Sequence, residues 1–257
     1  MPNEWPISPQ LLLGFVLTLS RVAGIFIFAP LPGMRSGFDA PRMLLSLSVA
    51  VSLAHEWPRI DASEMVAAQF ALMLFQEILL GVSVGILVGF LAETFLLAFQ
   101  IPALQAGYSY ASTVDPNTAA DSSVLQVISQ LLCGLVFFGL GMHREVIRAV
   151  SMSLHTQAPG HVIVDERMLE ALARTTTGMF TTALRLALPI VAMLLMVDLI
   201  LALLSRLNSQ LQLISMIFPL KMLLALLMFS WLISQVPTLY ESQMNQVISA
   251  IRRVLAP

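Results

Sequence analysis

Apolar stretches of membrane-spanning length follow one another through this chain, and several of them enclose a single charge or a proline. Lipid alone accommodates an isolated ion poorly, so such residues pair with one another, reach the interface or line water. The pattern therefore specifies an all-α, polytopic integral membrane protein whose helices face each other or a polar path. Composition agrees: 58% of the residues are hydrophobic, only 11% are charged, and the mean hydropathy is +0.86. A soluble domain carries about 25% charged residues, and this chain could not cover a comparable water-exposed surface.

The bilayer core is about 30 Å thick, which about 20 apolar residues cross as a helix. Residues 11–30 meet that length with Arg21 as their one charge, whereas 41–56 are short and marginal. Residues 65–99 are too long for one perpendicular span and predict a tilted, broken or projecting helix. A clean span is expected at 124–142, and a final pair at 183–204 and 211–236. Only a few residues join that pair, so it must be an antiparallel hairpin. About six long helices result. The amino terminus, MPNEW, lacks the positive charge and cleavage site of a signal peptide, so the first run is expected to stay as a membrane helix.

Three polar segments separate the spans. Residues 31–40 are rich in Pro and Gly, and 143–182 form the largest connection, with a short surface helix expected near 165–174. Residues 105–123 are small and polar, and Gly107 with the Asp115-Pro116 turn favours a loop. That loop lies in solvent or plugs a pore.

Several classes of chemistry are excluded. The net charge of −2 and a single lysine, Lys221, offer no basic face to nucleic acid. Cys133 stands alone in an apolar run, and His55, His143, His155 and His161 lack the spacing that puts two imidazoles on one metal. No phosphate cradle, nucleophile elbow or zinc-protease helix is present. Neither a cofactor nor enzymatic activity is expected.

Candidate functional residues are of two kinds. Gly81, Gly85 and Gly89 recur at every fourth position and form one flat helical stripe, suited to close approach of another helix or to a ligand groove. Arg21, Glu77, Glu93, Arg185, Asp198 and Lys221 lie within or at the edges of apolar runs. Arg21 and Lys221 are long enough to snorkel, whereas Glu77, Glu93 and Asp198 require partners or a water-filled path. A proton relay through those carboxylates is disfavoured, because Glu77 and Glu93 lie roughly 24 Å apart along one helix. Pro102, Pro189 and Pro219 predict bends.

Four segments taken together resemble one family. They are RVAGIFIFAPLPGM (21–34), PRMLLSLSVAVSLA (41–54), EILLGVSVGILVGFLAETFLLAFQIPALQAGYSYASTVDP (77–116) and LPIVAMLLMVDLILALLSRLNSQLQLISMIFPLKM (188–222). In order, spacing and length they resemble the FliR family of bacterial flagellar type III secretion, which has relatives in injectisomes. The resemblance implies a non-enzymatic, multi-pass protein of the bacterial inner membrane and flagellar basal body, acting in flagellum biogenesis. It implies FliP-like and FliQ-like partners, an FlhB-like export protein, membrane lipid and unfolded export substrates. It also implies a FliP-like region at 1–182 followed by a FliQ-like hairpin at 183–257.

By the same resemblance, Ala106, Gly107, Tyr108, Ser109, Tyr110, Ala111, Asp115 and Pro116 match a loop that plugs the closed pore. The tip at 206–212, with Arg206, and Lys221 beyond Phe218-Pro219 match the hairpin end near the cytoplasmic mouth. Ser209 and Gln212 depart from the family pattern, which has proline and asparagine there. Counting arginines over six crossings instead places both termini in the cytoplasm and that tip outside. The alternatives are an injectisome export-apparatus subunit, by the same resemblance, and a proton-coupled carrier using Glu77, Glu93 and Asp198; an intramembrane enzyme would need a nucleophile and base that the sequence does not offer.

Overall fold

The computed structural model describes residues 9–34, 37–58, 60, 66–108, 124–156, 166–207 and 213–255. Among them are seven α-helices: α1 (Pro9–Phe28), α2 (Ala40–Ser52), α3 (Ala67–Ala106), α4 (Val124–Gly139), α5 (Met142–Thr156), α6 (Glu166–Leu207) and α7 (Leu213–Val254). Four of these, α1, α3, α6 and α7, are long and apolar enough to cross a membrane, and the bent pair α4 and α5 can supply a fifth crossing.

Helix α3 is the centre of the fold, packing against α1, α4, α6 and α7. It runs unbroken for 40 residues, with Pro102 inside it, whereas α6 and α7 run for 42 each and also retain their prolines as helix. At 1.5 Å per residue each of the three is about 60 Å long, twice the hydrocarbon thickness. The overlong third segment is therefore one helix projecting well beyond any single lipid crossing.

Three sequence expectations are corrected. The span expected at 124–142 stops at Gly139, because Gly141 adopts φ 72° and turns the chain by 63° into α5. Residues 143–182 are largely helix rather than connection. Their first part is the amphipathic α5, which buries Met142, Val146, Val150 and Leu154 while Met152 and His155 face outward. Their last part, including the surface helix expected at 165–174, is the start of α6. The hairpin itself is present, with α6 packed on α7 and both arms extended by several turns beyond their apolar cores.

Local chemistry sets the helix ends. The chain enters α2 through an extended Asp39 and a proline in the first turn, where a missing N–H removes no intrahelical bond. Arg42, on that same turn, reaches back to the end of α1. Its Nη1 donates to the carbonyls of Phe26, Ile27 and Ala29 at 2.5, 3.1 and 2.8 Å. Those are groups that a helix C-terminus leaves without partners, and a cation suits the negative end of the helix dipole.

Along one stripe of the α1–α3 contact, backbone takes the place of side chains. A Cβ on Gly81 would run into the carbonyl of Arg21, and one on Gly85 would lie 2.7 Å from the Gly24 oxygen and 2.9 Å from that of Ile25. At Gly89 the neighbour is the Phe28 oxygen, 3.1 Å away. Gly24 reciprocates from α1, so backbone meets backbone along the stripe. On the other flank, α3 meets α7 through aromatic pairs: Phe95 on Tyr240 at 5.5 Å and Phe99 on Phe229 at 5.2 Å.

Replacing Gly85 by Leu forces α1 and α3 apart, and overpacking of this kind typically costs about 1–3 kcal/mol even where side chains can yield. Here only backbone is available to move. The G85L variant should therefore be recovered from membranes in much lower yield than wild type, whereas leucine at half-buried Gly178, whose Cβ would meet nothing within 4 Å, should leave the yield unchanged.

Candidate functional site

One turn before Gly81 on α3 stands Glu77, and the close approach at that glycine brings α1 near enough for Arg21 to turn inward. Both residues are fully buried. The Arg21 Nε donates to Glu77 Oε2 at 2.5 Å, and Nη2 donates to Oε1 at 3.0 Å. Nη1 donates to the Ser153 hydroxyl at 2.9 Å, and that hydroxyl donates to the Val150 carbonyl. This two-pronged geometry suits a planar guanidinium and a carboxylate, and it ties α1, α3 and α5 at one point. Arg21 does not snorkel. With both Glu77 oxygens taken by the guanidinium, this carboxylate is committed to holding helices together rather than to handing protons onward.

A second polar cluster surrounds the far end of α3. Gly107 adopts φ 91°, the left-handed conformation that lets a helix stop without a Cβ clash. The Tyr108 N–H then bonds to the Ala103 carbonyl and the Gly107 N–H to that of Leu104, a Schellman closure. Ala106 is buried. From this end the Tyr108 hydroxyl donates to the Met222 carbonyl of α7 at 2.9 Å. Burial pushes that hydroxyl up from its ordinary value, so it remains a neutral donor at physiological pH.

Beside it, Gln105 Nε2 donates to Asp198 Oδ2 of α6 at 3.2 Å, and Lys221 Nζ of α7 lies 3.0 Å from both Asp198 oxygens. Lys221 is buried and Asp198 partly open to solvent. Lys221 thus pairs instead of snorkelling. Of the other residues expected in the loop, Ser109, Tyr110, Ala111, Asp115 and Pro116 lie outside the described residues, as do Ser209 and Gln212 of the hairpin tip.

The remaining intramembrane charges are dispersed. Glu93 is exposed and lines a cavity of about 200 Å³ with Arg42, Gln126 and Gln130. Arg185 and Arg206 are exposed on α6. Ser153, Arg42 and Gln105 were missed as polar partners by the sequence reading. For Ser153 and Arg42 no local signal exists, since their partners lie far along the chain. The Asp198–Lys221 pair did carry one: Asp198 lies nine residues before the end of α6 and Lys221 eight residues after the start of α7. An antiparallel hairpin brings two such positions level with each other.

The sequence matches the family described as Bacterial export proteins, family 1, over residues 12–247. It is 28% identical over 246 residues to the flagellar biosynthetic protein FliR of Buchnera aphidicola subsp. Schizaphis graminum, covering 94% of this chain and 93% of the relative. The FliR of Escherichia coli K12 is 27% identical over 93% of this chain and 91% of its own. That of Bacillus subtilis 168 is 24% identical over 94% of each.

Removing one member of a buried ion pair leaves the other charge uncompensated and costs about 3–5 kcal/mol, whereas replacing both by apolar residues is often neutral. Glu77→Gln should accordingly lower the melting temperature of the purified protein sharply, while R21M/E77L should recover most of the loss. Thermal scans of the two variants decide the point; equal destabilisation in both would contradict the role assigned to the pair.

Proposed function

The chain belongs to the bacterial export proteins of family 1, and from that premise we propose that it joins FliP-like and FliQ-like subunits to form the pore through which unfolded flagellar substrates leave the cytoplasm. It is a component of the flagellar type III export apparatus, a multi-pass protein of the inner membrane and flagellar basal body, and its role is structural rather than enzymatic. An FlhB-like export protein is a further expected neighbour. In this reading residues 1–182 are the FliP-like part and 183–257 the FliQ-like hairpin, the two sharing the continuous helix α6.

The observation that carries the partner assignment is how little of the hairpin this chain itself covers. Phe180, Leu184, Leu188, Leu195, Leu199 and Leu203 of α6 and Leu223, Leu227 and Trp231 of α7 are all exposed, on helices about 60 Å long, twice the hydrocarbon thickness. Only 17% of the apolar window on α6 and 22% of that on α7 is buried within this chain, against 44% on α1 and on α3. Sister subunits packed against the hairpin supply the missing cover.

The end of α3 suits the loop reading. Ala106, Gly107 and Tyr108 lead out of a rigid, centrally packed helix, and residues 109–116 follow as the segment assigned to closing the pore. Deleting 106–116 should leave assembly intact and make the reconstituted complex leak ions. Single-channel recording measures this directly, and unchanged conductance in an assembled deletion complex counts against the loop as plug.

A further inference from the structure

Resting on the plug reading above, we propose that Asp198 is a positioning residue for pore closure: with Gln105, Lys221 and Tyr108 it latches the loop-bearing end of α3 to the hairpin. Three helices meet at this one carboxylate. Gln105 approaches from the last turn of α3, Lys221 from α7, and Asp198 itself stands on α6. The Tyr108 hydroxyl adds a second tie, to the Met222 carbonyl next to Lys221. Gln105 and Tyr108 both lie within two residues of Ala106, where α3 ends.

The placement is specific. Over the turns just before this level α3 is held to its neighbours by apolar packing, with Phe95, Phe99 and Ala103 fully buried. That packing needs no ions. Asp198 and Lys221 could satisfy each other across the hairpin alone, yet the same Asp198 oxygen that faces Lys221 also accepts from Gln105. The pair is therefore spliced to the loop stem. Its chemistry also suits a releasable tie. The Asp198 side chain is 35% exposed against 10% for Lys221, so water can take over the Gln105 and Lys221 hydrogen bonds at the carboxylate when the stem moves, whereas an apolar contact has no such substitute.

The test uses the whole gate complex purified from native membranes and reconstituted in planar bilayers. Deleting 106–116 serves as the open reference. Asp198→Asn should raise the spontaneous open probability about tenfold, the effect of losing one charge-assisted hydrogen bond, with subunit composition unchanged. Tyr108→Phe, which removes a single hydroxyl, should raise it in the same direction. Gln105→Leu, which leaves the Asp198–Lys221 pair intact but cuts it from the end of α3, should raise it too; a role for the pair confined to the hairpin predicts no such change.

If the deletion leaks and D198N, Y108F and K221M all stay closed, the latch is wrong and the plug reading stands. If the deletion itself stays closed, the plug reading fails and the latch falls with it. Should D198N fail to assemble, Y108F decides: a silent, assembled Y108F complex overturns the proposal.

Discussion

Two helices can bring their backbones into contact only where at least one of them lacks a side chain, and the α1–α3 contact rests on that condition. Gly81, Gly85 and Gly89 face Arg21, Gly24, Ile25 and Phe28 across a gap that admits no Cβ. Because the approach is so close, Arg21 cannot escape toward lipid or water and must be satisfied where it stands, by Glu77 and Ser153. Packing and electrostatics are thus one device. The glycines create the enclosure, and the ion pair makes the enclosure tolerable.

From this fixed contact the rest of the fold extends along α3. Its near half is locked to α1 and α5 by the ion pair; its far half lies between the hairpin helices α6 and α7 through stacked aromatics and small buried residues. The helix ends where Gly107 permits a left-handed turn, in the middle of a second, more open polar cluster. The two ionic sites differ in character. Arg21 and Glu77 are sealed and serve permanence, whereas Asp198 is partly hydrated and serves contacts that can exchange.

The hairpin presents the opposite surface. Its outward flank exposes Phe180, Leu184, Leu188, Leu195 and Leu199 with little cover from the rest of this chain, on helices about twice the membrane's thickness. In the proposed assembly the same flank packs helix on helix against sister subunits, where close fit does the work that water exclusion does in soluble proteins.

Much of this was legible in the chain itself. Apolar run length identified α1 and the excess length of α3, and a short polar joint required the α6–α7 hairpin, because those features depend only on rise per residue and on how far a connection can reach. The four-residue spacing of glycines marked a flat helical face for the same reason. What sequence alone could not decide was partner choice. Whether Arg21 snorkelled or paired, that Arg42 would cap a helix ending fourteen residues earlier, and that Gln105 would share Asp198 with Lys221 are settled by groups brought together from distant positions. Periodicity fixes which way a side chain points around its own axis, but only the packed arrangement of helices determines what it meets there.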